Sequence, residues 1–548
     1  MSGGNVAWRS SCEQPLLQTK AIRVLFLLVT HGRFRTIRNM RKFAASSILA
    51  AALLFPRGAR AQLSQNEVTA VLRQASSVAA AVSPNSVIAV VDREGFVLAA
   101  WYTGAGVVDP NDVANAIAKA GTAAFLSSNG HAFTSRTAGF IVQQSFPPGI
   151  RNRPPGPLVG VNFSNLAFSD VNHFKVFTVS PTRPTVPVIQ PAPLPATGGL
   201  AGTPGGVPLY NQGKLVGGVG VAGDGDNAAS VQVQQTPDLD EIVALAGQRG
   251  FEPHRTILGS RVLIDGIRLP YVETDPDSVP NVPVQLIGAS APGYPIQASP
   301  PVRYPSATFN GVTGEVRQPI TSDPLPGLIE GQPRLTANEV TRILGLAAAR
   351  AQKTRAGIRL PPGRAAQVFI SVVNRPNLNQ PATVLGTFRT PDATLFSWDV
   401  AVQKARTAVY FSTKTLAVST RAVGFLAQSM LPPGIEFTTP GPLLGFQERV
   451  SAFPLPRNPL NGATAPQPPA IDPALPNGIT IFPGGFPLYR WGVLIGAIGI
   501  SGDGVDQDDL IGMSGAADFL PPENIRSDKF EIRGARLPYA KFPRNPGL

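Results

Sequence analysis

Residues 205–225 read Gly-Gly-Val-Pro-Leu-Tyr-Asn-Gln-Gly-Lys-Leu-Val-Gly-Gly-Val-Gly-Val-Ala-Gly-Asp-Gly, and residues 484–504 read Gly-Gly-Phe-Pro-Leu-Tyr-Arg-Trp-Gly-Val-Leu-Ile-Gly-Ala-Ile-Gly-Ile-Ser-Gly-Asp-Gly. Each is two apolar runs about a turn, at Gln212-Gly213 or Trp491-Gly492, and reads as an antiparallel strand pair. Gly217, Gly218 and Gly220, like Gly496 and Gly499, strip side chains from the second strand. Glycine inside a strand is unfavourable unless something approaches the backbone closely, so each strand is expected to have a near neighbour.

The likeness extends outward in both directions. Leu63 to Thr69 returns as Leu335 to Thr341, and Lys119 to Ala123 as Lys404 to Ala408. Pro147 to Ile150 returns as Pro432 to Ile435, and Gly156 to Leu158 as Gly441 to Leu443. Arg268 to Tyr271 closes the series as Arg536 to Tyr539. Ordered blocks at a period of about 270 residues mean a duplicated domain, not a solenoid unit.

Within one copy, Ser64 or Thr336 followed three residues later by Glu gives a capping box, and an apolar face at helical spacing follows it. Val87 to Val91 and Phe96 to Trp101 read as a hairpin, repeated as Val368 to Val373 and Thr383 to Phe388. Asp112 to Phe125 and Asp399 to Phe411 read as Ala-rich helices able to pack closely. Thr134 to Gln144 and Ser419 to Gln428 read as shorter helices stopped by Pro-Pro-Gly. A last helix starts at Asp240 or Asp508. This order predicts an α+β unit, helices on an antiparallel sheet, in two copies at 62–273 and 334–548. The Pro-rich stretches 180–204, 274–333 and 451–476 read as loops, with 274–333 a stiff interdomain linker.

The chain has 548 residues, 55 Gly, 56 Pro and a formal charge of +13. The charge is uneven: residues 1–61 hold ten basic residues against Glu13 alone, so the remainder is close to balance. Met40-Arg41-Lys42, the apolar run Phe43 to Phe55 and Ala59-Arg60-Ala61 together predict a secretory signal peptide cleaved after Ala61. Either Met1 or Met40 serves as the start, and the mature product is expected to be exported, periplasmic or secreted. Cys12 is the only cysteine, which excludes disulfides, thiolate zinc and a cysteine nucleophile from residues 62–548. With the leader set aside, neither the charge nor any aromatic-basic interleaving suggests nucleic acid.

The Lys-Ala-x-Thr-Ala helix, the Gly-Gly-x-Pro-Leu strand and the strand Gly496-Ala497-Ile498-Gly499-Ile500-Ser501-Gly502 resemble the GlcG/HbpS-like heme-binding family, in two tandem copies. The resemblance implies a five-stranded antiparallel sheet flanked by helices in each domain, oligomeric assembly, and heme as cofactor in a sensing or handling role; the duplication adds the expectation of an intramolecular pseudo-dimer that replaces a contact between chains. It also implies that Lys119, Thr122, Lys404 and Thr407 lie at the binding region. Arg136 and Arg421 recur on the next helix and could meet a carboxylate. For all six the residues allow a plainer role: a threonine bonding its own turn, a lysine as a solvated cation or in an ion pair between subunits, and an arginine in an ion pair within the domain.

A heme site needs an apolar slot, cations for the propionates and an axial donor. His131, His173 and His254 all fall in the first copy, so a His-ligated site in both copies is excluded. Tyr210 and Tyr489 are duplicated but read as hairpin core. The Gly-Asp-Gly loops at 223–225 and 502–504 superficially resemble calcium loops, yet the EF-hand spacing fails. No Gly-x-Ser-x-Gly elbow, Walker loop or His-Glu-x-x-His occurs, which favours binding over catalysis. A non-heme ligand, a structural or interaction role, and an enzyme of unknown reaction remain as alternatives.

Overall fold

Ser64 and Thr336 open equivalent helices through the capping box. The Ser64 amide donates to Glu67 Oε2 at 2.8 Å and the Thr336 amide to Glu339 Oε2 at 2.9 Å, and each hydroxyl oxygen accepts its glutamate's amide. In the computed structural model residues 62–547 are described, except 144–145, 151–152, 154–155, 159–174, 180–186, 192–199, 225–235, 302–303, 445, 447–471, 473 and 476–477. The leader reading, its cleavage site and His173 lie outside these residues, as does most of 180–204 and 451–476.

The first repeat contains α1 (Gln65–Val82), β1 (Val87–Asp92), β2 (Val97–Tyr102), α2 (Pro110–Leu126), α3 (Ser135–Ile141), β3 (Gly206–Asn211), β4 (Lys214–Ala222) and α4 (Leu239–Gln248). After it come β5 (Ala289–Ser290), β6 (Ser306–Phe309) and β7 (Val312–Gln318). The second repeat contains α5 (Ala337–Gln352), β8 (Val368–Asn374), β9 (Val384–Arg389), α6 (Phe396–Phe411), α7 (Thr420–Leu426), β10 (Gly485–Arg490), β11 (Val493–Gly502) and α8 (Val505–Gly515).

Both sheets are antiparallel and share an order. The first runs β3-β4-β1-β2-β5, and the second runs β10-β11-β8-β9-β7-β6. The five-stranded expectation therefore describes the first sheet, while the second carries a sixth strand. In each, the edge beyond the common four strands comes from 274–333. That segment is not a free span: β5 pairs with β2, β7 pairs with β9, and the β6–β7 hairpin turns at Asn310-Gly311. Proline excludes central strands but not edges: β5 and β6 are edge strands, and β7, paired on both sides, contains no proline. A separate two-stranded ribbon, Lys175–Val179 with Pro187–Pro191, also falls partly within a stretch read as loop.

The close neighbour of the Gly-rich strands is the Ala-rich helix. A Cβ at Gly220 would stand 2.2 Å from the Ala116 carbonyl oxygen, and one at Gly499 would stand 2.0 Å from that of Ala401. Thus α2 lies on β4 and α6 on β11, backbone against backbone. The opposite face of the first sheet packs Ile88, Val90, Leu98 and Val219 under α1 and α4. The second sheet does the same with Ile370, Val372, Leu385 and Ile498 under α5 and α8. Between the sheets, Val113, Ala116, Ile117 and Phe125 of the first repeat share one core with Phe369, Phe396, Trp398 and Val400 of the second. No helix among the described residues is long and apolar enough to cross a membrane.

Candidate functional site

The duplicated cations of α2, α3, α6 and α7 converge on the closing helices. Lys119, 1% exposed, reaches Asp240 on α4 at 2.6 Å. Lys404 reaches Asp508 on α8 at 2.8 Å and also donates to the Ile500 carbonyl at 2.7 Å. One residue on, Arg136 clasps Glu241 with Nε at 2.9 Å and Nη2 at 3.1 Å. Arg421 pairs with Asp509 through Nε and with Asp506 through Nη2 at 2.6 Å. Adjacent acids at the start of the last helix thus bind a Lys from one helix and an Arg from the next, in both repeats.

The carboxyls respond to burial. Burial pushes Asp508 up to about 7 and Asp240 and Asp509 up to about 6, even with a cation beside each. One oxygen of each of these three, Oδ1, is buried without a hydrogen-bond partner.

The threonine hydroxyls are engaged by backbone groups, and that of Thr122 by its own turn. The Thr122 hydroxyl donates to the Ala118 carbonyl at 2.8 Å and accepts the Ala201 amide at 2.9 Å; that of Thr407 accepts the Thr480 amide at 3.0 Å. Tyr210 is core, its hydroxyl donating to the Ser128 and His131 carbonyls, and Tyr489 likewise donates to that of Thr413. His131 is fully buried, with Nε2 donating to the Leu126 carbonyl and Nδ1 accepting from Ser128. His254 caps a short surface turn through Thr256.

A cavity of about 520 Å³ lies where the two repeats meet. Leu126, Phe133, Ile141 and Leu158 wall it from the first repeat; Phe396, Val400 and Phe482 wall it from the second. A short hairpin, Leu263–Ile264 with Ile267–Arg268, adds Leu263 and Ile264. Of the six residues expected at a site, Lys404 and Arg421 line this cavity, beside Asp506 and Asp508. Lys119, Thr122, Arg136 and Thr407 are not part of its wall. What sequence reasoning missed is that the wall would come from both repeats; no spacing within one repeat carries that information. The acids of the closing helices were partly visible, as the duplicated Asp240 and Asp508 that open them.

A family model described as haem degrading protein HbpS-like matches residues 63–235 and 335–517. Among solved structures, a PduOC:heme complex is 27% identical over 34% of this chain and 94% of that one, with a TM-score of 0.22. Klebsiella pneumoniae protein ORFY is 21% identical over 34% of this chain and 91% of that one, with a TM-score of 0.22. HbpS is 22% identical over 36% of this chain and 94% of that one, with a TM-score of 0.21. No curated protein matches the chain.

Proposed function

The chain belongs to the HbpS-like family, and from that premise we propose that it is a haem-binding protein holding one haem in the cavity between its repeats. The observation that carries this reading is the cavity itself: apolar walls from both repeats with two cations at one side. A flat apolar ring with two carboxylates asks for that combination. Phe133, Ile141, Phe396, Val400 and Phe482 would face the ring, while Lys404 and Arg421 would meet a propionate. Among the described residues Arg421 has its Nη1 uncommitted, so a carboxylate can be accepted without breaking the pairs to Asp506 and Asp509.

The lining fits the ring and its propionates better than the iron. It contains no His, Cys, Met or Tyr; its remaining side-chain donors are Asp265, Lys404, Gln428, Ser501, Asp506, Gln507 and Asp508. Haem when bound would supply the iron chemistry, and this chain would supply burial and orientation. We place the protein outside the cytoplasm, with residues 1–61 removed as a leader, on the basis of the motif ending at Ala61.

Hemin titration of the purified chain tests the site. A saturable Soret band at one equivalent per chain is expected, lost when Val400→Trp fills the cavity. No saturable band, or an unchanged one in that variant, overturns it. The internal pairing of all six candidate side chains favours one alternative, a non-haem ligand or a structural role, which the absence of a Soret band would select. N-terminal sequencing of the exported product should begin at Gln62.

A further inference from the structure

We propose that the cavity between the repeats recognises a porphyrin by its ring and carboxylates and not by its metal, so that a metal-free porphyrin dicarboxylate is as good a ligand as haem, a step that rests on the haem reading of that cavity. The donor set carries it. Among the described residues the wall holds no imidazole, thiol, thioether or phenol, the groups that grip haem iron strongly.

The histidine closest in sequence to the wall is closed off. His131 lies between the wall residues Leu126 and Phe133, yet Nε2 donates to the Leu126 carbonyl at 3.0 Å and Nδ1 accepts from the Ser128 hydroxyl at 3.0 Å. Its ring lies against that of Phe133, with centroids 4.7 Å apart. Thr407, one turn beyond Lys404 on α6, accepts the Thr480 amide and is not part of the wall.

The polar groups that do line the cavity are poor iron ligands. Lys404 donates to the Ile500 carbonyl and to Asp508, and an ammonium has no lone pair for a metal. Asp506 is held by Arg421 at 2.6 Å and Lys541 at 3.0 Å. Asp508 gives Oδ2 to Lys404, and burial raises its carboxyl to about 7, which weakens it further because a metal ligand must be deprotonated. Ser501, Gln428 and Gln507 are neutral, and Asp265 stands on the exposed turn of the short hairpin.

Charge points the same way. Ferric haem carries a net positive charge at its centre, and walls of Leu126, Phe133, Ile141, Phe396, Val400 and Phe482 supply no anion to meet it. Burying a charge without a partner is costly, whereas the centre of a metal-free ring is neutral. Both ligands present the same carboxylates to Lys404 and Arg421, so the iron adds little to affinity.

The test titrates the purified full chain with protoporphyrin IX by fluorescence and with hemin by absorbance. The dissociation constant for protoporphyrin IX should be no more than fivefold above that for hemin, and the one should displace the other mole for mole. Protoporphyrin IX dimethyl ester, which keeps the ring and loses both charges, should bind more than fivefold more weakly than the acid. Bound hemin should show a high-spin spectrum, and His173→Ala should change neither affinity. Hemin more than fivefold tighter than protoporphyrin IX, no displacement, an ester within fivefold of the acid, a low-spin spectrum, or hemin affinity lost selectively in His173→Ala would each overturn the proposal while hemin binding itself stands. Failure of hemin and protoporphyrin IX alike to bind would instead remove the haem reading, and this proposal with it.

Discussion

A lysine ammonium taken out of water needs an anion at contact distance, and Lys119 and Lys404 each find one on the closing helix. Removing one partner strands the other, so Lys404→Met or Asp508→Asn alone should cost about 3–5 kcal/mol in urea unfolding. Replacing both with Met and Leu should recover much of that loss; an equal loss in the double variant would show that the pair matters by packing alone. His131 makes the pH prediction. Burial, with Arg359 nearby, lowers its imidazole to about 4 from an ordinary 6.5. Between those values the unfolded chain binds a proton that the folded chain refuses, so the stability His131 lends is whole above pH 6.5 and drains away as pH falls toward 4. His131→Asn should flatten the pH dependence of the urea midpoint across that window, and an unchanged slope would reassign acid sensitivity to other groups. The lysines were legible in sequence because their block is duplicated. Their partners were less so, since Asp240 lies 121 residues from Lys119 and Asp508 lies 104 from Lys404, beyond the reach of any local pattern.

At the scale of elements, helix and strand are matched by what they lack. Alanines on α2 and α6 and glycines on β4 and β11 let two backbones approach with no side chain between them. Gly499→Ala would drive a methyl into the Ala401 carbonyl, against rigid backbone, and should destabilise by about 1–3 kcal/mol or more. Gly534→Ala, which has open space but a left-handed backbone, offers a contrast: its cost should come from conformation and leave the cavity intact. Comparing hemin binding in the two variants separates these causes, because only Gly499 supports the helix that carries Lys404. Gly inside a strand announced a close neighbour from sequence alone, and the capping boxes fixed both first helices. The β6–β7 hairpin was missed despite Asn310-Gly311, whose φ values of 46° and 81° suit the tight turn such a pair favours. Proline density around it masked the signal, and a two-residue strand such as β5 has too few residues to show alternation.

For the whole molecule, the joint between repeats decides both folding and the cavity. Arg359 stands at that joint: it pairs with Asp503 at 2.7 Å and Asp392 at 2.5 Å in its own repeat, and its Nη1 donates to Ser128 of the first at 3.0 Å. Asp392 in turn takes Arg93 at 2.8 Å and the Asn129 amide, both from the first repeat. Away from this cluster, Arg317 binds Glu94 of the first repeat at 2.6 Å and 3.0 Å. With these pairs buried over a common apolar core, the two repeats should unfold in one cooperative transition despite being separate copies in sequence. Arg359→Met leaves Asp392 and Asp503 short of a cation, and should lower stability by about 3–5 kcal/mol. Because the cavity is walled from both sides, the same change should weaken hemin binding even though Arg359 does not line it. Arg342→Ala, which removes an exposed pair with Asp518, should change neither quantity. Unfolding curves by fluorescence and circular dichroism, read beside Soret titrations of the three proteins, give the outcome. Two resolved transitions in the parent, or full hemin affinity in a destabilised Arg359→Met protein, would mean that each repeat folds and binds by itself, and that the shared cavity is not where the ligand sits.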